Sequence, residues 1–325
     1  MYSEGNSLKP NNELTKFTKH SKLAFELRHH ILTYCNSETQ VNYGECSNFC
    51  NMEIRRFNTT PPFSLDIEEK IGHIVVKMHY LKNHLKIIKK FWFSDSEDVM
   101  KEVQKYVMKY YKYVGQKTTA HVKIEVKNWP IDLMKMMNLM NIKNLEVTIY
   151  KSMCDDFMDY FKNSDLHISH LTLYDADEVS DQAIISSDFF KADAFRNLRL
   201  ASIFVQCEID KENFVDMEKD YVLLKSSQSF DAVRAKVRKW NNTNRLRDAS
   251  IRIRLPENDD RVLNSSVIFP SDQFDILPIQ SRSLEKFCVG KVVVEIEQNE
   301  NGTMMRLNLK ENPKYLVDSD SDDDL

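Results

Sequence analysis

Between Leu23 and Phe57 the apolar positions fall on a helical period. Leu23, Leu27, Ile31 and Tyr34 stand at i, i+4, i+8 and i+11, one face of a helix. "NSETQ" then breaks the pattern, and Asn36 or Ser37 is placed to cap a second helix that carries Val41 and Tyr43. Asn48 begins a third, with Phe49, Met52, Ile54 and Phe57 along it, and "NTTPPF" ends it because consecutive prolines cannot continue a helix. The pattern predicts a three-helix module over 17–58, preceded by a flexible leader over 1–16.

Downstream the pattern changes. "IGHIVVKMHYL" reads as a strand, and "SEDVMKEVQKYVMKYYKYV" as an amphipathic helix opened by Ser96, with Glu97 and Asp98 in its first turn, where negative charge suits the helix dipole. Strand-like runs then recur at 120–126, 144–150, 170–176, 197–205 and 245–253. Val122, Val147 and Thr172 recur at one even interval. "PIDLMKMMNLM", "MCDDFMDYFKNS" and "SFDAVRAKVRKWNNT" supply helical or polar connections. This alternation predicts an α/β class, with α+β as the alternative. Its architecture is an irregular, leucine-rich-repeat-like β-α domain over 63–317, or else an ordinary open α/β sheet. "KVVVEIEQNENGTMMRLNLK" predicts a hairpin turning at Asn301-Gly302 that closes the domain. The segment 318–325, "DSDSDDDL", cannot bury apolar surface and is expected to be disordered. Ser319 and Ser321 lie among its aspartates, in a context that suits acidophilic kinases.

Composition narrows the classes. The chain has 325 residues, 42% apolar and 29% charged, long enough for a sizeable core and more than one structural unit. Only six glycines occur, which argues against phosphate-cradling glycine loops. The net charge of -4 resides in the tail, whose last eight residues hold five Asp, so the body is near neutral and demands no nucleic acid. The polar start carries no signal peptide, and no apolar run is long enough to span a membrane. Six irregularly spaced cysteines make no disulfide framework, and a cytoplasmic or nuclear setting is expected.

Candidate chemistry is sparse. The opening segment holds His29, His30, Cys35, Cys46 and Cys50, but no CxxC pair and no second paired motif. Tetrahedral zinc needs about four convergent ligands. The cysteines read instead as small buried residues of helix faces. No GxSxG, HExxH, Walker or dinucleotide motif exists. Asp155, Asp156 and Asp159 read as the wet face of a helix rather than paired catalytic carboxylates. "YLKNHLKIIKKFWF" and "KYVMKYYKYVGQK" interleave Lys with aromatics, as single-strand nucleic-acid binders do, but read rather as amphipathic helices with buried aromatics and wet lysines. Arg234, Lys236, Arg238, Lys239, Arg245, Arg247, Arg252 and Arg254 form a second basic concentration, either a face for an acidic partner or the outside of a helix and strand.

"LAFELRHHILTYC" followed by "GECSNFCNMEIRRF" resembles an F-box. Leu23, Glu26, Leu27, Ile31 and Leu32 fill its first part. Cys46, Ser47, Cys50 and Asn51 occupy its later small and polar positions, and Arg55 and Arg56 its basic end. Ala24 stands where the family has proline, a residue that starts a helix cheaply. The remainder is similar to nematode-type F-box proteins with an F-box-associated C-terminal region, in the late helix bearing Trp240 and in the terminal hairpin. The resemblance implies a non-catalytic adaptor without cofactors. Its F-box docks on the Skp-family linker of a cullin-RING ubiquitin ligase, and its C-terminal domain holds a protein substrate. The docking residues it implies are Leu23, Ala24, Glu26, Leu27, Ile31, Leu32, Cys46, Asn51 and Arg55. Five apolar residues in the ten from Leu23 to Leu32 exceed what one buried stripe requires, which independently favours an interface.

Overall fold

A computed structural model describes residues 23–35, 37–57, 63–80, 85–94, 98–111, 120–130, 132, 134, 142–176, 182–243, 249–255, 265–279, 285–299 and 302–310. The chain divides into two units, Met1–Thr60 and Pro61–Leu325. The expected leader over 1–16 and acidic tail over 318–325 fall outside the described residues.

The first unit holds three short helices, α1 (Phe25–Tyr34), α2 (Ser37–Cys46) and α3 (Asn48–Phe57). Ala24 precedes α1 without a side-chain cap. α3 is capped from Ser47, whose Oγ accepts the Cys50 amide at 3.1 Å, satisfying one of the amides a helix start leaves open. Asn36, one of the two expected caps of α2, is not described.

The second unit is built on one sheet. Its strands are β1 (Phe63–Lys70), β2 (His73–Tyr80), β3 (Leu85–Trp92), β4 (Ala120–Glu125), β5 (Ile142–Ile149), β6 (Ile168–Asp175), β7 (Ile184–Ile185), β8 (Leu200–Cys207), β9 (Tyr221–Ser227), β10 (Ala249–Arg254), β11 (Ile276–Ile279), β12 (Glu285–Val289), β13 (Val292–Asn299) and β14 (Gly302–Leu309). The order across the sheet is β11-β12-β13-β14-β10-β9-β8-β6-β5-β4-β1-β2-β3, with β7 paired to β8 alone. From β1 through β4, β5, β6, β8 and β9 to β10 every pair is parallel and the order follows the chain. β2 and β3 extend one edge in antiparallel fashion, and β14 to β11 the other. The chain is thus mixed α/β, with no reversal of strand order within the parallel run.

Since parallel crossovers are right-handed, an unreversed order sends every connection over the same side of the sheet. Burial follows. In β8, Ala201, Ile203, Val205 and Cys207 are buried while Leu200, Ser202, Phe204 and Gln206 are not, and β5, β9 and β10 alternate likewise.

The described helices of this unit are α4 (Val99–Tyr111), between β3 and β4, then α5 (Lys151–Asn163), α6 (Asp193–Arg196), α7 (Lys211–Asp216), α8 (Phe230–Asn242) and α9 (Ser265–Ile268). α4 is capped by Asp98, whose Oδ1 accepts the Lys101 amide at 3.0 Å; the expected cap Ser96 is not described. α5 buries Met153, Cys154, Phe157 and Phe161 and turns Asp155, Asp156 and Asp159 to solvent. Phe157, Phe161, Phe189, Phe190, Phe195 and Trp129 form a chain of ring contacts, from Phe161 stacked on Phe189 at 4.7 Å to Trp129 edge-on to Phe157 at 4.9 Å.

Two buried lysines anchor short helices by their C-termini. Lys219 Nζ donates to the carbonyls of Phe195 and Arg196, each at 2.5 Å, at the end of α6. Lys236, on α8, donates to the carbonyls of Val215, at 2.9 Å, and Met217, at the end of α7. A helix C-terminus leaves carbonyls unpaired and carries partial negative charge, so an ammonium there satisfies both.

Several expectations change. The even interval of Val122, Val147 and Thr172 is not the register. Ile124, Val147, Leu173, Ile203 and Leu224 stand side by side instead, and their steps along the chain are unequal. Thr172 pairs with Glu146 on the opposite set of side chains. The long gap before 245–253 contains β9, "YVLLKSS", so α8 joins β9 to β10. The segment "LKIIKKFW" is an edge strand rather than a helix, and its exposed Lys89 and Lys90 suit an edge that must resist pairing with other chains. The hairpin of β13 and β14 forms, with Gly302 a strand residue opposite Asn299 rather than a turn residue. The hairpin is not the sheet's margin, since β12 and β11 continue beyond it.

Candidate docking surface

The three-helix unit is tied by charge at its centre. Arg28 Nε of α1 donates to Glu53 Oε1 of α3 at 2.6 Å, and Tyr43 Oη of α2 donates to Glu53 Oε2 at 2.5 Å. Arg28 Nη1 also reaches the Leu23 carbonyl at 2.5 Å. Burial and then the bond to Glu53 push the Tyr43 hydroxyl well above the usual tyrosine range, so it remains a proton donor at any physiological pH. Gln40 of α2 donates to the carbonyls of Leu32 and Cys35 at 2.7 and 3.2 Å, closing the end of α1. One buried carboxylate therefore joins all three helices. With the interior held this way, the apolar residues of α1 are not all needed inside.

Their exposure shows the result. Leu27 is 48% exposed, Ile31 38%, Phe25 37% and Tyr34 78%. Leu27, Ile31 and Tyr34 follow the i, i+4, i+7 spacing, so they share a face. α3 adds Phe49 and Met52, both exposed, and the Arg28 guanidinium lies over the Phe49 ring at 5.3 Å. Burying the half of each Leu or Ile side chain still in water would contribute about 1 kcal/mol apiece. The chemistry on offer is apolar recognition.

The sequence-predicted docking residues separate into groups. Leu27 and Ile31 are on the outward face; Ala24 and Glu26 are exposed at the start of α1, and Leu23 is half-buried. Leu32 corrects the expectation: at 2% exposure it is an interior residue and cannot meet a partner in this arrangement. Cys46 is exposed, its thiol donating to the Asn42 carbonyl at 3.2 Å. Asn51 and Arg55 lie on α3, but their side chains fall outside the described set. The cysteines also depart from the reading as buried helix residues, since Cys46 is exposed and Cys35 and Cys50 are half-buried. Among the described residues, no three His, Cys, Asp or Glu side chains converge as a metal site requires. The sequence assigned no role to Arg28 or Glu53, placed Tyr43 only along the second helix, and did not signal the exposure of Phe49 and Met52.

The second basic concentration disperses. Lys236 is fully buried beneath α8, Arg234 binds the carbonyls of Val267 and Ile268, Arg238 binds Gln273 and lies over Phe274, and Arg252 pairs with Glu297. Arg245 and Arg247 are not described. These contacts divide the described members of the cluster between interior and surface. Among the described residues, no helix is long and apolar enough to cross a membrane.

Compared with protein-family models, with curated proteins and with solved structures, the chain finds no match.

Proposed function

We propose that the chain is a substrate-recognition adaptor of a cullin-RING ubiquitin ligase. Its three-helix unit acts as an F-box that docks on a Skp-family linker, and the sheet domain acts as the holder of a protein substrate. The observation that carries this reading is the outward turn of Leu27 and Ile31 on α1, at the positions the F-box resemblance assigns to partner contact. A short helical module with exposed aliphatics gains by covering them with partner helices. The sheet domain supports the second half of the reading. Its consecutive parallel strands, with connections on one side, follow the logic of leucine-rich-repeat-like stacking, in which the uncovered strand face is broad. The adaptor contributes proximity, bringing substrate lysines to a remote active centre, and needs no catalytic residue of its own.

The full chain, co-expressed with a Skp-family linker, is expected to retain it on purification. Leu27→Asp or Ile31→Asp is expected to abolish retention while leaving thermal unfolding unchanged. Failure of the parent chain to retain any linker would overturn the adaptor reading. It would leave a protein-interaction module with a vestigial F-box, a reading that the uncapped start of α1 at Ala24 favours.

A further inference from the structure

Two histidines and one glutamate share a row on the uncovered face of the sheet. His121 of β4 and His170 of β6 both stand opposite Asn144 of β5, one on either side. Side chains at paired positions point to the same face of a sheet, and so do residues two apart on one strand. Glu146, two residues beyond Asn144, therefore points to the face that carries both histidines. Its Oε1 is 3.5 Å from His121 Nε2. His170 Nε2 lies 3.5 Å from Thr172 Oγ1, and Thr172 is the residue opposite Glu146 on β6. His121, Glu146 and His170 are all half-buried.

The charges beside this row are few. Lys123, opposite Glu146 on β4, reaches Glu125 at 3.2 Å, and Asp66 of β1 stands opposite Lys123. On β1, Ser64 stands opposite His121, and on β8, Leu200 and Ser202 stand opposite His170 and Thr172; none of these is charged. Arg199, just before β8, is paired with Asp220 at 2.9 Å. One carboxylate thus serves two imidazoles.

Two imidazolium charges two strands apart, about 10 Å at the backbone, repel one another across a half-buried surface. A single carboxylate offsets one of them. The balance is visible at His170. Burial opposes its charge, Glu146 favours it and the charge of His121 opposes it, which leaves His170 below its ordinary value of 6.5.

We propose that His121, Glu146 and His170 form a proton-responsive cluster in which the shared carboxylate supports one imidazolium at a time. On acidification from neutral pH, the uncovered face gains its two positive charges here in two separated steps, and the histidines titrate as a coupled pair. The cluster lies in the sheet domain and does not rest on the adaptor reading.

Nuclear magnetic resonance of the imidazoles in the full chain, titrated from about pH 8 down to about pH 4, tests this. His121→Gln and His170→Gln assign the two signals. The midpoint of His170 is expected below 6.5 in the parent chain. His121→Gln removes the opposing charge and is expected to raise that midpoint by about half a pH unit or more. Glu146→Gln removes the supporting charge and is expected to lower it. Loss of local structure would release His170 toward its ordinary value in both variants, so the opposite signs separate charge coupling from a packing role. A His170 midpoint unmoved in either variant, or moved the same way in both, would overturn the proposal.

Discussion

Glu53 of α3 lies 2.6 Å from Arg28 of α1, with side-chain exposures of 6% and 11%. The carboxylate also accepts from Tyr43, so its removal takes a buried charge partner from the arginine and a charged acceptor from the phenol. Breaking one partner of a buried pair costs more than the pair contributes, because the survivor stays desolvated. Glu53→Ala is expected to destabilise the unit by about 3 kcal/mol. Tyr43→Phe, which removes one bond to a charged acceptor, is expected to cost about 2 kcal/mol. Hydrogen exchange of residues 37–57 measures both, and the sheet domain's exchange is expected to stay unchanged.

Leu32 and Leu27 share one helix but differ greatly in surroundings, 2% against 48% exposed. Leu32→Ala is expected to cost about 3 kcal/mol, as interior leucines do. Leu27→Ala is expected to fall within about 0.5 kcal/mol of the parent. Chemical denaturation followed by a probe in the first unit distinguishes them. Equal losses would mean that the outward face of α1 is in fact packed.

The sheet domain is expected to weaken in acid through Glu68 on β1. Burial opposes its ionisation, but Lys77 at 2.6 Å and Lys70 at 3.3 Å outweigh burial and hold the carboxyl below its ordinary value of 4.5. A depressed carboxyl stabilises the fold above its unfolded pKa, and this is lost as pH falls through the folded value. The expected window is therefore below pH 4.5. Glu68→Gln is expected to lower stability at neutral pH and to flatten the decline in acid, as read from unfolding midpoints across that range.

Cysteine accessibility gives an independent check of both units. Burial pushes the Cys154 thiol up to about 11 and Cys207 higher still, so neither offers thiolate at neutral pH. Cys46 is exposed. Alkylation of the native chain is expected to modify Cys46 and to spare Cys154 and Cys207 until the protein is unfolded. Peptide mass mapping reads the order.

How much of this is legible in the sequence depends on whether the deciding interaction is local. The strands at β4, β5, β6, β8 and β10 announce themselves through alternation, and the helices through the 3.6-residue period. β9 does not: "YVLLKSS" follows the charged "MEKD" and ends in serines, so the pattern passes from a run ending at Val205 to one starting at Arg245. The even interval of Val122, Val147 and Thr172 misleads because strand register is set by the lengths of the connections, which vary. On α1, periodicity groups Leu27 with Ile31 correctly but carries no sign for inward or outward. That sign comes from Glu53, whose interior position depends on Arg28 and Tyr43 converging from two other helices. A polar triad of Arg28, Tyr43 and Glu53, assembled from three separate helices, carries no mark of its interior position in one dimension. The same applies to Lys236, which reads as part of a basic face and instead holds the end of α7.

The unreversed strand order has an evolutionary corollary. Because each parallel strand in the run leans on its immediate predecessor, a β–α segment can be duplicated or lost in tandem without rethreading the chain or crossing a loop. The antiparallel ribbons at either margin then serve as fixed bookends. Between them, the width of the sheet is free to drift.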